Sequence, residues 1–270
     1  MLKTNLYAMK SIIQNTCVLG LLFIVTFAKA QEKTMNIDNK KNTERELGSK
    51  NKIMLIPFEN KMYLSEIDAK INQESKLSAK QIKALMRDGL NEQLYKKLKG
   101  TMSVVDMLED TSKTQKDLGN IYQYLAYQYQ RTPNQEKYKA PSNEKESKNV
   151  NKGQLTVETN GDSRFMNAKL KNSTLVPYLT GKYKTNLYLF INELDIKSFN
   201  SIPGDFNSDS NRKIIVHYTI YTFDAKEINS GIAEITMPIH VNNPAKIINT
   251  YFSQAADLIA QRLNKALSVN

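Results

Sequence analysis

Cysteine is nearly missing from this 270-residue chain. The single Cys17 lies in a segment with the composition of an export signal, so the chain beyond it can form no disulfide and offers no thiol nucleophile or thiolate metal ligand. Histidine is almost as scarce. Only His217 and His240 could supply imidazole, which makes a zinc site hard to assemble. There is no nucleophile elbow, dinucleotide fingerprint or HExxH motif, and Gly181-Lys182 lacks the glycine-rich turn of a phosphate-binding loop. The S-x-x-K matches at Ser49/Lys52, Ser142/Lys145 and Ser210/Lys213 fall in or beside polar loops, where a lysine stays protonated and cannot act as a base. Lys and Arg (38) outnumber Asp and Glu (27), but they are scattered among Glu, Asn and Gln rather than gathered on one face as nucleic-acid binding requires. No nucleic-acid partner and no cofactor are expected.

What is present begins with export. Basic Lys10, the apolar run from Cys17 to Phe27 and Ala28-Lys29-Ala30 before Gln31 make the three parts of a signal peptide over residues 1–30. Met9-Lys10 is a more usual opening for such a signal than Met1. The run is shorter than the roughly 20 residues of a spanning helix, so no stable membrane span is expected after signal removal. Gln14-Asn15-Thr16 lacks the residues of a lipoprotein processing site, so Cys17 is not expected to carry lipid. The mature chain should start at Gln31 and be periplasmic or secreted. Residues 31–51 are polar without apolar period and read as a disordered tether. Residues 52–270 read as one globular domain with a mobile insert at about 131–152, where Pro133, Pro141 and mixed charges break any pattern.

The domain opens with Lys52 to Phe58, an apolar run suited to a strand covered on both faces. Ser78 and Gln81 then form a capping box, and Ile82, Leu85, Met86, Leu90, Leu94 and Leu98 share a helical face that closes at Gly100. Val104-Val105 returns as a short strand, expected to lie parallel to the first. A second helix is predicted from near Asp110 to Gln130, with Leu118, Ile121, Tyr122, Leu125 and Tyr129 on one face. In the second half the period changes. Strands are predicted at 155–158 and 165–170 around the hairpin dipeptide Asn160-Gly161, then at 187–196, 213–223 and 231–241, the last two joined by a polar 224–230 connection. Asn243 and Pro244 open a closing helix that runs to about Leu267. The sum is an α/β (α+β) fold: a mixed sheet with a strand-helix-strand start, an antiparallel meander and packed helices.

Few constellations offer chemistry. Asp205, Asn207 and Asp209 alternate as calcium ligands do, but Ser210 stands where a calcium loop has glycine and Val216 where it has a bidentate carboxylate. Glu193 and Asp195 share a strand face and could serve as acid and base, or could simply be two charges on a wet face. Whether His217 and His240 share a face depends on strand register. Tyr122, Tyr124, Tyr127 and Tyr129 point to more than one side of their predicted helix. Some should remain available as a surface for a protein partner.

Ile53-Met54-Leu55-Ile56-Pro57-Phe58, Gly89-Leu90 with Leu94 and Leu98, Val104-Val105-Asp106, and Asp224 to Gly231 with the last helix together resemble a group of envelope domains. These are the periplasmic domain of the curli secretion lipoprotein, the lipoprotein activators of penicillin-binding proteins and the amino-terminal domain of the Tol translocation protein. The resemblance covers about two-thirds of the mature chain, which departs from the lipoprotein members in lacking a lipidated cysteine. It implies a non-enzymatic binding, assembly or regulatory module for another envelope component. The alternative is a secreted hydrolase or sugar-processing enzyme using surface carboxylates such as Glu193 and Asp195.

Overall fold

The computed structural model describes residues 50–141, 164–198 and 211–269. In chain order its elements are β1 (Lys52–Ile56), β2 (Tyr63–Ser65), α1 (Asp68–Ser75), α2 (Ala79–Lys99), β3 (Ser103–Asp106), α3 (Thr111–Gln123), β4 (Leu125–Arg131), β5 (Arg164–Leu170), α4 (Leu175–Tyr183), β6 (Leu187–Ser198), β7 (Asn211–Thr222) and β8 (Glu227–Pro238). The chain then closes through α5 (Pro244–Lys246), a π turn (Ile247–Phe252) and α6 (Ser253–Val269). The main sheet runs β3-β1-β6-β7-β8, with β2 also on β6, and β4-β5 make a separate antiparallel ribbon.

Local chemistry accounts for the framework. The Ser78 hydroxyl accepts from the Gln81 N–H and the Gln81 side chain accepts from the Ser78 N–H, so both exposed donors at the start of α2 are satisfied. Ile82, Met86, Leu90, Leu94 and Leu98 are buried as the helical period requires, while Leu85 stands at the margin, partly exposed. β3 is the parallel neighbour of β1, Ile53 opposite Val104. β1 is buried on both sides: Ile53 and Leu55 join the apolar cluster under α2 and α6, whereas Met54 and Ile56 join a second cluster under α3 and α4. At the closing helix the Asn243 side chain accepts from the Lys246 N–H, and Pro244 sits where no N–H is needed. A Cβ at Gly89 would lie 2.5 Å from the Ile248 side chain, so glycine lets α2 approach the π turn closely.

Several elements differ from the sequence expectation. The helix predicted to Gln130 stops at Gln123, and Leu125–Arg131 is a strand. Leu125 and Tyr129 continue the helical face of Leu118, Ile121 and Tyr122, but with Tyr127 they also satisfy a period of two, and pairing with β5 from Leu125↔Leu170 to Arg131↔Arg164 decides between them. The predicted 155–158 strand lies outside the described residues. The last hairpin is tighter than expected, because β8 already begins at Glu227 and leaves only a short turn with Ala225 at φ +61°. Residues 132–141, read as the start of the insert, lie along β8, where Gln135 donates to the Ser230 carbonyl at 2.8 Å.

Candidate functional site

β6 is where the sheet changes character. Leu187, Leu189 and Ile191 face α2 and α6, but the next side chains on that face are Leu194 and Ile196. The alternation slips by one residue because Asn192 has no register partner on β7: Ile191 sits opposite Tyr218 and Glu193 opposite His217. This bulge turns Glu193 and Asp195 toward the β4-β5 ribbon. Asn192 itself grips the ribbon, its Nδ2 donating to the Met166 carbonyl and to Thr219 Oγ1, both at 2.8 Å.

His217, Glu193 and Asp195 form a cluster in which each residue is 2% exposed. His217 Nδ1 accepts the Met166 backbone N–H at 2.8 Å. An amide can only donate, so in the neutral ring Nε2 carries the proton. That N–H faces Glu193 Oε1 at 3.6 Å and Asp195 Oδ2 at 3.7 Å, beyond hydrogen-bond length but within reach of their charge. Tyr129 donates to both Glu193 oxygens, at 2.8 and 3.0 Å, and Lys197 pairs with Asp195 Oδ2 at 2.8 Å. The two carboxyls are driven apart. Burial pushes Glu193 above its ordinary pKa despite the Tyr129 hydrogen bond, whereas for Asp195 the proximity of His217 and Lys197 outweighs burial and holds the carboxyl below the usual range.

The three groups have the identities and spacing of a metal site, their potential ligand atoms lying within 4.8 Å of one another. The proton arrangement argues against that use. A ligating imidazole must offer a lone pair at Nε2 and normally donates from its other nitrogen, whereas here Nδ1 accepts the Met166 backbone N–H. As built, the cluster can store charge, orient a proton between two carboxylates and fasten β5 to β7.

The sequence pairs Glu193 with Asp195 correctly but does not show them buried; instead of the wet face expected of them, they occupy the ribbon-sheet interface. Their partners His217 and Tyr129 are not evident from the chain. The phase slip in Leu187 to Ile196 is the signal that could have revealed the bulge. His240 lies beyond β8 and is exposed, far from His217, so the two make no pair. Asp205, Asn207 and Asp209 lie outside the described residues. Of the tyrosines, Tyr122 is half-buried, its hydroxyl donating to the Pro57 carbonyl at 2.8 Å and accepting from Arg87 at 3.0 Å. Tyr127 packs into the core margin, Tyr129 covers the cluster while 51% exposed, and Tyr124 is 41% exposed.

The fold and cluster define a mixed α/β domain with a charged, hydrogen-bonded interior beneath a two-stranded ribbon. No protein-family model matches the sequence, and no curated protein matches it. Among the described residues, no helix is long and apolar enough to cross a membrane.

Proposed function

We propose that the chain is an exported, non-enzymatic module that binds, assembles or regulates another component of the cell envelope. The supporting observation is the enclosure of Glu193, Asp195 and His217. The described groups best suited to acid-base work are packed between sheet and ribbon and committed to Tyr129, Lys197 and the Met166 amide, whereas a general base must reach a substrate proton. The junction of α3 and β4 offers Tyr124, an exposed aromatic of the kind that anchors protein interfaces. The test is photo-crosslinking in intact cells, with benzoylphenylalanine at Tyr124. A discrete envelope-protein adduct is the expected result. Absence of any adduct, together with turnover of ester or glycoside substrates by the purified protein, would contradict the proposal.

One observation favours a second reading, the secreted hydrolase. Two carboxyls two residues apart with pKa values driven in opposite directions have the form of an acid and a base. Loss of measurable turnover in Glu193→Gln, with the fold intact, would establish it.

A further inference from the structure

Residues 132–141 form a strap between the amino end of β8 and the carboxyl end of α6. Besides the Gln135 bond to Ser230, Asn229 donates to Gln135 Oε1 at 3.2 Å and Tyr138 donates to Glu227 Oε1 at 3.0 Å. Lys265 reaches the Gln135 carbonyl at 3.4 Å. These contacts leave a groove of about 470 Å³ between strap, strand and helix, within the usual size range of binding sites. Tyr138, Ala266 and Val269 supply apolar lining, and Lys137, Lys139 and Lys265 stand at the rim. Of the two acids there, Glu227 is already engaged by Lys169 at 2.7 Å and by Tyr138, so the groove presents net positive charge over an apolar floor.

We infer that this groove binds an acidic, partly apolar peptide segment of a protein partner. The rim calls for carboxylates and the floor for apolar side chains. The wall is β8, an edge strand with a bulge at Ile228, which has no partner in β7. The outward carbonyls farther along are taken, Ser230 by Gln135 and Ile232 by Arg262, so the peptide stays within the groove instead of extending the sheet along β8. The inference deepens the binding-module reading and rests on it for the identity of the occupant as a protein segment.

Fluorescence anisotropy with a labelled peptide of alternating Glu and Leu tests it, a Lys-Leu peptide serving as control. The acidic probe should bind and weaken with salt. The double variant Lys137→Glu/Lys139→Glu should lower its affinity roughly tenfold or more. Ala140→Trp, at an exposed lining position, should also weaken it at unchanged melting temperature. Equal binding of the Lys-Leu peptide, or full affinity in both variants, would overturn the proposal. Failure of the acidic probe alongside a persistent Tyr124 adduct removes the groove assignment and leaves the module reading standing. Probe binding that the variants abolish supports the groove even where Tyr124 gives no adduct, a result that would count against the module reading alone.

Discussion

The helices α2 and α6 on one face of the main sheet and the β4-β5 ribbon on the other are held by different forces. Under α2 and α6 most contacts are apolar, from Ile53 and Leu55 across Leu189 and Val216 to Phe252 and Ile259, with Arg262 on the Ile232 carbonyl and Asn91 on Asp106 as polar exceptions. On the opposite face, the β4-β5 ribbon is fastened by directed bonds. Thr219 Oγ1 accepts from Asn192 and from the Ala168 N–H while donating to Asn167 Oδ1 at 2.6 Å, and Tyr221 donates to the Ala168 carbonyl at 2.9 Å. Burial against helices depends on volume and is indifferent to direction, whereas the ribbon depends on each donor meeting its acceptor. The first face should therefore tolerate swaps that conserve volume, and the second should tolerate few changes of polar atoms.

The largest effect is expected on the helical face. Leu94→Ala should cost about 2–5 kcal/mol in urea unfolding and Leu94→Met less than about 1.5 kcal/mol. Thr219→Val keeps the shape of the side chain but leaves Asn192, Asn167 and the Ala168 amide without their shared hydroxyl. It should cost about 1–3 kcal/mol. A neutral Thr219→Val would mean that the ribbon is held by packing alone.

Glu193 and Asp195 supply a test of sign. The folded pKa of Asp195 is lowered, so its contribution to stability is present above the ordinary carboxylate range and is lost as pH falls through the folded value. That of Glu193 is raised, so its contribution is present below the ordinary range and is lost as pH rises through the folded value. At neutral pH, Asp195→Asn should lower the melting temperature and Glu193→Gln should raise it. Both differences should shrink in acid. Matching signs would contradict two carboxyl pKa values driven in opposite directions. The smallest effect belongs to the exposed Tyr124, where replacement by alanine should stay within about 0.5 kcal/mol.

The same contrast explains what could be read from the chain. The helical face was legible because Ile82, Met86, Leu90, Leu94 and Leu98 repeat with the helix, Ser78 and Asn243 announce helix starts, and β1 is apolar without interruption. The ribbon face was not. Leu125 and Tyr129 fit a helical period as well as a period of two, and only the distant partner strand β5 resolves them. The cluster needs three things that no local pattern encodes: the bulge at Asn192, the register placing His217 opposite Glu193, and the crossing of β5 that delivers the Met166 amide. The Glu193-Asp195 pairing was visible, yet its burial depends on a ribbon whose two strands are far apart in sequence.

The ribbon fastens His217 with its proton on Nε2. The direct measurement is ¹⁵N NMR of the histidine side chains, with and without added Zn²⁺. The account predicts an unprotonated Nδ1 and a protonated Nε2 for His217, unchanged by the metal. A protonated Nδ1, with His217 resonances that shift stoichiometrically on zinc addition, would contradict it.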